Sequence, residues 1–119
     1  MKKKVLVAED DPQSRKLMEL ILEESGYDFL LTRDGKEAVE KFSDYKPDIV
    51  LTDLFMPNMN GIQTFLAIRQ IDANVPVLAF TGACSDEDME EAKQLGFDEF
   101  IPKPIEQDKL LEIFKKYLT

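Results

Sequence analysis

The fold predicted for this 119-residue chain is α/β, a doubly wound sheet of five parallel strands with helices on both faces. Five short apolar runs of strand length alternate with five segments of helical periodicity. The runs are apolar throughout rather than alternately polar, the mark of strands covered on both faces. No internal repeat, low-complexity segment or linker interrupts the alternation, so the sequence is expected to form one domain over residues 1–119.

The elements follow in order. Val5-Leu6-Val7-Ala8 is a buried strand. Pro12 begins a helix that runs to Glu24, with Asp11 as its cap and Gly26 as its stop. Tyr27 to Thr32 is the second strand, Asp34-Gly35 a turn, and Lys36 to Tyr45 the second helix. Ile49 to Thr52 is the third strand. Asn58 to Gly61 is a loop, and Ile62 to Ile71 is helical. Pro76 opens the strand Val77 to Phe80. Ser85 to Leu95 is a helix whose first turn carries Asp86, Glu87 and Asp88, where carboxylates complement the helix dipole; Gly96 ends it. Asp98 to Ile101 is a short strand and Ile105 to Leu118 the last helix, with Leu111, Phe114 and Leu118 as its core stripe.

Composition narrows the function classes. Charged residues are 33% and hydrophobic residues 44%, as in ordinary water-soluble domains. No apolar run approaches the ~20 residues of a membrane span, and no signal peptide is visible. The lone Cys84 precludes an internal disulfide and fits a reducing compartment, so the expected location is cytoplasmic. The absence of histidine removes imidazole bases, triads and imidazole metal ligands. A net charge of −9 disfavours nucleic acid and anionic lipid.

Chemistry-bearing residues gather at strand exits. Asp53 closes the run Ile49-Val50-Leu51-Thr52 and is followed by Leu-Phe-Met-Pro, a poor arrangement for a core but a good one for presenting a carboxylate. Glu9, Asp10 and Asp11 follow strand one, Thr81-Gly82 follows strand four, and Lys103-Pro104 follows strand five. Strand two ends in Thr32-Arg33-Asp34, which looks plain. In a doubly wound sheet this edge is where ligands bind. Taken singly, each group has an ordinary explanation: a solvated loop and cap, a turn, a surface lysine. Their joint placement argues for a site. Carboxylates converging there repel one another and call for a hard cation, Mg²⁺ or Mn²⁺. The inventory suits phosphoryl transfer: Asp53 as nucleophile, Asp10 with Glu9 for metal, Thr81 as hydroxyl donor and Lys103 as counterion.

These residues resemble the response-regulator receiver domain, the phosphoacceptor module of two-component signalling, over essentially the whole chain. The motifs that carry the resemblance are Glu9-Asp10, Asp53-Leu54-Phe55-Met56-Pro57 with Asn60-Gly61, Thr81 in Ala-Phe-Thr-Gly-Ala, and Phe100-Ile101-Pro102-Lys103-Pro104. The resemblance implies a flavodoxin-like strand order of 2-1-3-4-5. It implies Mg²⁺ on Asp10, Asp53 and the Phe55 backbone carbonyl, with Glu9 reaching it directly or through water. It further implies a cis Lys103–Pro104 bond and a switch that couples Phe100 to Thr81 and reshapes the face of helix 4, strand 5 and helix 5. The implied partners are a histidine kinase or histidine phosphotransfer protein and a downstream effector or fused output domain, with the chain a monomer or weak dimer. A stand-alone receiver and one cut from a larger protein are equally open. Departures from the family pattern are Glu9 for the commoner Asp, Asn60 for a frequent Asp, a bulky apolar Phe55, and Phe100 without a phenol hydroxyl. Phe55 and Ala83 offer no group to orient an attacking water, so slow self-dephosphorylation is expected.

Two other readings compete. A pseudo-receiver that no longer takes phosphate would act as an interaction module, but the chemical residues are all in place. An aspartyl phosphatase of the haloacid-dehalogenase type carries Asp-x-Asp, and here Phe55 holds the second position, so turnover of an external substrate is not expected. On the first helix, Met18, Ile21, Leu22 and Ser25 share a core face, while Leu17 and Leu20 lie about 100° or more from it. With Gln13 and Glu24 they form either the flank of a wide core face or a docking patch for a kinase or phosphotransfer helix. Ile113 and Tyr117, off the last helix's core stripe, are candidates for an output face.

Overall fold

The computed structural model describes residues 2–56, 58–82 and 85–118. The element order is β1 (Lys4–Ala8), α1 (Pro12–Ser25), β2 (Asp28–Thr32), α2 (Gly35–Tyr45), β3 (Ile49–Asp53), α3 (Gly61–Ile71), β4 (Val77–Phe80), α4 (Asp86–Leu95), β5 (Glu99–Ile101) and α5 (Gln107–Leu118). All strand pairs are parallel, in the order β2-β1-β3-β4-β5. The doubly wound fold is therefore the one expected. Pro57, Ala83 and Cys84, to which expectations were attached, lie outside the described residues.

Strand alternation divides the apolar residues between two cores. Val5, Val7, Ile49, Leu51, Leu78 and Phe80 face α1 and α5, where they meet Met18, Ile21, Leu22, Leu110, Phe114 and Leu118. Leu6, Ala8, Val50, Val77 and Ala79 face the other side and meet Phe42 of α2, Phe65 and Ile68 of α3 and Ala92 of α4. With β1, β3 and β4 buried on both faces, Val5 to Ala8, Ile49 to Leu51 and Val77 to Phe80 are apolar at every position, and this is why their runs are continuous.

The last helix departs from expectation. It begins at Gln107 rather than Ile105, and Leu110 replaces Leu111 in its buried row. Leu110 N–H donates to Glu106 O at 3.0 Å, which makes Glu106 the residue that opens the first turn. A row of Leu110, Phe114 and Leu118 keeps a constant spacing along the helix, and Leu111, about 100° round, is left half-buried on its flank. Elsewhere ends shift by a residue or so, as helix and strand ends do. Asp53 itself is the last residue of β3.

Helix N-termini and strand exits share one edge of the sheet. Asp11 caps α1 by accepting from the Gln13 and Ser14 amides. Asn60 caps α3 and forms a reciprocal box with Gln63. Gly61, which opens α3 instead of ending the loop before it, lies so close to the Asp53 carbonyl and Leu54 backbone that an added Cβ would sit 2.7 Å from Leu54 Cα, so a side chain has no room there.

Candidate functional site

The same period of two that sorts the core positions the site. Glu9 lies one residue beyond β1 on the side of Val5 and Val7, and Asp53 ends β3 on the side of Ile49 and Leu51. Both carboxylates therefore hang from the α1/α5 face at adjacent strand ends. Glu9 N–H donates to Thr32 O at 3.1 Å, which carries the β1–β2 ladder one step past the strand and holds Glu9 inward. Glu9 is fully buried and Asp53 nearly so, whereas Asp10 is exposed. One carboxylate oxygen from each of the three can be chosen so that all lie within 4.8 Å of one another.

Lys103 reaches across from beyond β5 into this acidic group. Its Nζ donates to Glu9 Oε1 at 2.9 Å and Oε2 at 3.1 Å, and to Asp53 Oδ2 at 2.8 Å. The stem of Lys103 lies against Gly82, where an added Cβ would sit 2.9 Å from Lys103 Cδ. The Lys103–Pro104 peptide is cis, as the resemblance implies. Further donors fix Glu9: the Asp11 amide donates to Oε1 at 3.3 Å, and Arg15 Nη1 donates to the Glu9 carbonyl at 2.8 Å.

One ammonium faces three carboxylates, and the titration of the groups reflects it. Burial pushes the Glu9 carboxyl up to about 7, helped by its hydrogen bond to Asp53 and opposed by Lys103. Burial pulls the Lys103 ammonium down, but hydrogen bonds to Asp53 and Glu9 outweigh it and leave its pKa raised. A divalent cation suits this imbalance. The donors are all oxygen, two are sequestered and one is open to water, as Mg²⁺ coordination with retained waters requires.

The remaining expected residues take these places. Asp53 is in register with Phe80, so Thr81 stands one residue further along the neighbouring strand; its amide donates to Ile101 O at 3.0 Å. Phe100 is in register with Ala79 and packs half-buried on the α2/α3/α4 side, its ring centroid 6.1 Å from that of Phe97. Phe55 is 48% exposed, two residues past Asp53. On α1, Met18, Ile21 and Leu22 are buried, while Leu17 and Leu20 are 38% and 51% exposed. Leu17 lines a groove of about 420 Å³ with Asp11, Gln13, Ser14, Lys103, Pro104 and Ile105. Ile113 lines a second groove with Phe100 and Pro104, and the Tyr117 hydroxyl donates to Asp98 O and Glu99 Oε2 at 2.9 and 2.8 Å.

Sequence reasoning missed two contributors. Arg15 sits on a helix face with no motif to mark it. The Thr32-Arg33-Asp34 corner, read as plain, braces the neighbouring loops: Thr32 Oγ1 donates to Val7 O at 2.7 Å, and Asn58 Nδ2 donates to Asp34 Oδ2 at 2.8 Å. No local signal in the sequence could reveal a pairing of residues 24 apart.

The chain is similar to known proteins over almost its whole length. The profile of the response regulator receiver domain matches residues 5–115. The polar-differentiation response regulator DivK of Brucella anthropi is 32% identical, over 99% of this chain and 98% of its own length. A hybrid signal transduction histidine kinase of Dictyostelium discoideum is 34% identical over 92% of this chain, which spans only 7% of that protein. Among solved structures, chemotaxis protein CheY4 of Vibrio cholerae superposes with a TM-score of 0.91 at 28% identity, covering 99% of this chain and 100% of that one. The receiver domain of a Pseudomonas aeruginosa sensor histidine kinase, with a magnesium ion in its active-site cleft, superposes with a TM-score of 0.90 at 27% identity, covering 98% of both chains.

Proposed function

The chain belongs to the response regulator receiver family of two-component signalling, and from that premise we propose that residues 1–119 form one receiver that takes a phosphoryl group on Asp53 as a signal. The observation that carries this reading is Lys103 bridging Glu9 and Asp53 inside a cluster of three carboxylates. An Asp53 oxygen attacks phosphorus, and the bond that breaks joins phosphorus to an imidazole nitrogen of a histidine kinase or histidine phosphotransfer protein. Asp10, Asp53, Glu9 and the Phe55 carbonyl would hold Mg²⁺ (or Mn²⁺), which when bound would supply positive charge to offset that of the transferring group. Lys103 leaves part of its contact with Glu9 to pair with the phosphoryl oxygens. The Thr81 hydroxyl donates to another of them, and its movement frees Phe100 to shift against the α4, β5 and α5 face. A downstream effector or fused output domain reads that change. The cytoplasm is where such a histidine-linked donor would be met, and the monomer or a weak dimer is the acting form. The experiment is intact mass after treatment with a small phosphodonor. One phosphoryl adduct that forms with Mg²⁺ and not without it supports the reading. No adduct favours an interaction module that does not take phosphate, and continuing release of phosphate from esters favours a phosphatase.

Two consequences concern neighbouring residues. Phe55 is half-exposed beside the acceptor and has no polar group with which to orient water. Phe55→Asn is expected to shorten the life of the phosphorylated protein about tenfold by supplying one; an unchanged half-life in a pulse-chase would sink that role. The Leu17 side chain borders the groove beside Lys103, and Leu20 is exposed on the same helix. Leu17→Asp is expected to slow transfer from a partner protein about fivefold, the size of a modest interface contact, while labelling by a small phosphodonor is unchanged. Equal loss of both rates would reject a docking role.

A further inference from the structure

The corner between β2 and α2 does more than turn the chain. Asp34 uses its two carboxylate oxygens differently. Oδ1 accepts from the Glu37 amide at 2.8 Å and so caps α2, while Oδ2 accepts from Asn58 Nδ2 at 2.8 Å. Both bonds favour the ionised carboxyl and hold its pKa below the usual carboxylate range, Glu37 first and Asn58 second. Asn58 has a left-handed backbone, φ 69°, in the loop between Asp53 and α3. A left-handed asparagine is tolerated but not preferred, so a tertiary contact that uses its side chain helps fix that loop.

A second contact locks the same two segments. Gly35 lies directly against Thr64 Oγ1 and is so near Met59 O that an added Cβ would be 2.7 Å from it. Thr64 is fully buried, and its hydroxyl donates to Asn60 O at 2.8 Å. The same corner reaches the other acidic segment, because Thr32 Oγ1 donates to Val7 O and the Glu9 amide donates to Thr32 O. The loop carrying Phe55 and the segment carrying Glu9 are thus both tied to one corner that itself supplies no group to the site.

We infer that Asp34, through Asn58, is a positioning residue that sets the loop after Asp53 in the conformation in which the Phe55 carbonyl can join the carboxylates around a divalent cation. This rests on the metal-binding reading above. Asp34 and Asn58 do not touch the cation or the phosphoryl group. They act by limiting how far the loop strays before metal arrives, which lowers the ordering cost of binding.

Three variants of the full chain test it: Asn58→Asp, Asp34→Ser, and Asn58→Asp combined with Asp34→Asn. The first sets carboxylate against carboxylate. The second keeps a capping side chain for α2 but is too short to reach Asn58. The third reverses donor and acceptor and conserves net charge. The readouts are Mg²⁺ affinity by calorimetric titration and amide hydrogen exchange of Leu54, Phe55, Met56, Asn58 and Met59 in metal-free protein. N58D is expected to weaken Mg²⁺ binding about threefold to tenfold and to speed exchange in the loop, the scale of one lost hydrogen bond. The direction is diagnostic, because an added negative charge near the site would by itself tighten cation binding. D34S should do the same, and the double variant should return both readouts to within about twofold of the parent. Mg²⁺ binding in N58D as tight as in the parent, with unchanged exchange, would overturn the inference, as would a double variant no better than N58D. Should the parent itself bind no Mg²⁺, the metal reading fails and the positioning role stands or falls on loop exchange in the same variants.

Discussion

Asp53→Ala protein is expected to take no phosphoryl group from either a small phosphodonor or a partner, and to fold at least as stably as the parent. The first half follows from position. Asp53 is sequestered yet reachable at the end of β3, and Lys103 is bonded to it at 2.8 Å, so the counter-charge for a transferring group is already in place at that oxygen. Asp10 is exposed and Glu9 is turned into the protein and clasped by two lysine bonds, so neither offers a substitute nucleophile with the same surroundings. The second half follows from electrostatics. Asp53 is one of the causes that raise the Glu9 pKa, and its removal leaves Lys103 bonded to Glu9 with one carboxylate fewer in the cluster. Functional sites commonly hold such unfavourable groupings at the expense of stability. Intact mass and thermal unfolding on the same sample check both halves. An adduct in normal yield would remove Asp53 from the acceptor role, and a large fall in melting temperature would show that its bond to Lys103 outweighs the repulsion.

Most of the fold was legible because buried parallel strands leave little freedom. β1, β3 and β4 must be apolar on both faces, and so their positions stand out without any need to see the partner strands. The Asp11 cap was legible for a similar reason, because its side chain bonds to the backbone two and three positions on, a wholly local event, whereas Ser85, read as the first residue of its helix, is the cap of α4. The core row of α5 was not. Leu110 and Leu111 are adjacent and equally apolar, and which one faces inward depends on where the first turn starts, set by Glu106 and the approach of Ile105. The candidate site divides in the same way. Residue types at strand exits could be read along the chain, but whether the alternation of β1 carries on past Ala8 to bury Glu9 could not, since that depends on Thr32 of another strand. The two hydrogen bonds from Lys103 to Glu9 join residues 94 apart, and the Asp34–Asn58 contact joins two loops that carry no shared motif.

Mg²⁺ affinity should fall as pH is lowered through 7, and metal-free stability should change in the opposite sense. Glu9 controls both. Burial first, and then its hydrogen bond to Asp53, raise its carboxyl to about 7 from an ordinary 4.5. A carboxyl whose folded pKa lies above its unfolded one binds more protons in the folded state across the interval between them. The folded chain is therefore stabilised as pH falls from about 7 toward 4.5 and loses that stabilisation as pH rises back through 7. The effect is at most about 3–4 kcal/mol, because one pKa unit corresponds to about 1.4 kcal/mol. A cation that uses Glu9 must displace that proton, so affinity should drop by up to about tenfold for each pH unit below 7. Glu9→Gln removes the titrating group while keeping much of its shape. In metal-free Glu9→Gln the stability increment between pH of about 8 and about 5.5 should vanish, and Mg²⁺ binding, weaker throughout, should lose most of its pH dependence. Denaturant melts under chelation and calorimetric titrations with Mg²⁺ measure the two. If the variant keeps the parent's pH slopes, the titrating group is not Glu9, and the buried carboxylate beside Lys103 does not govern when the site can take its metal.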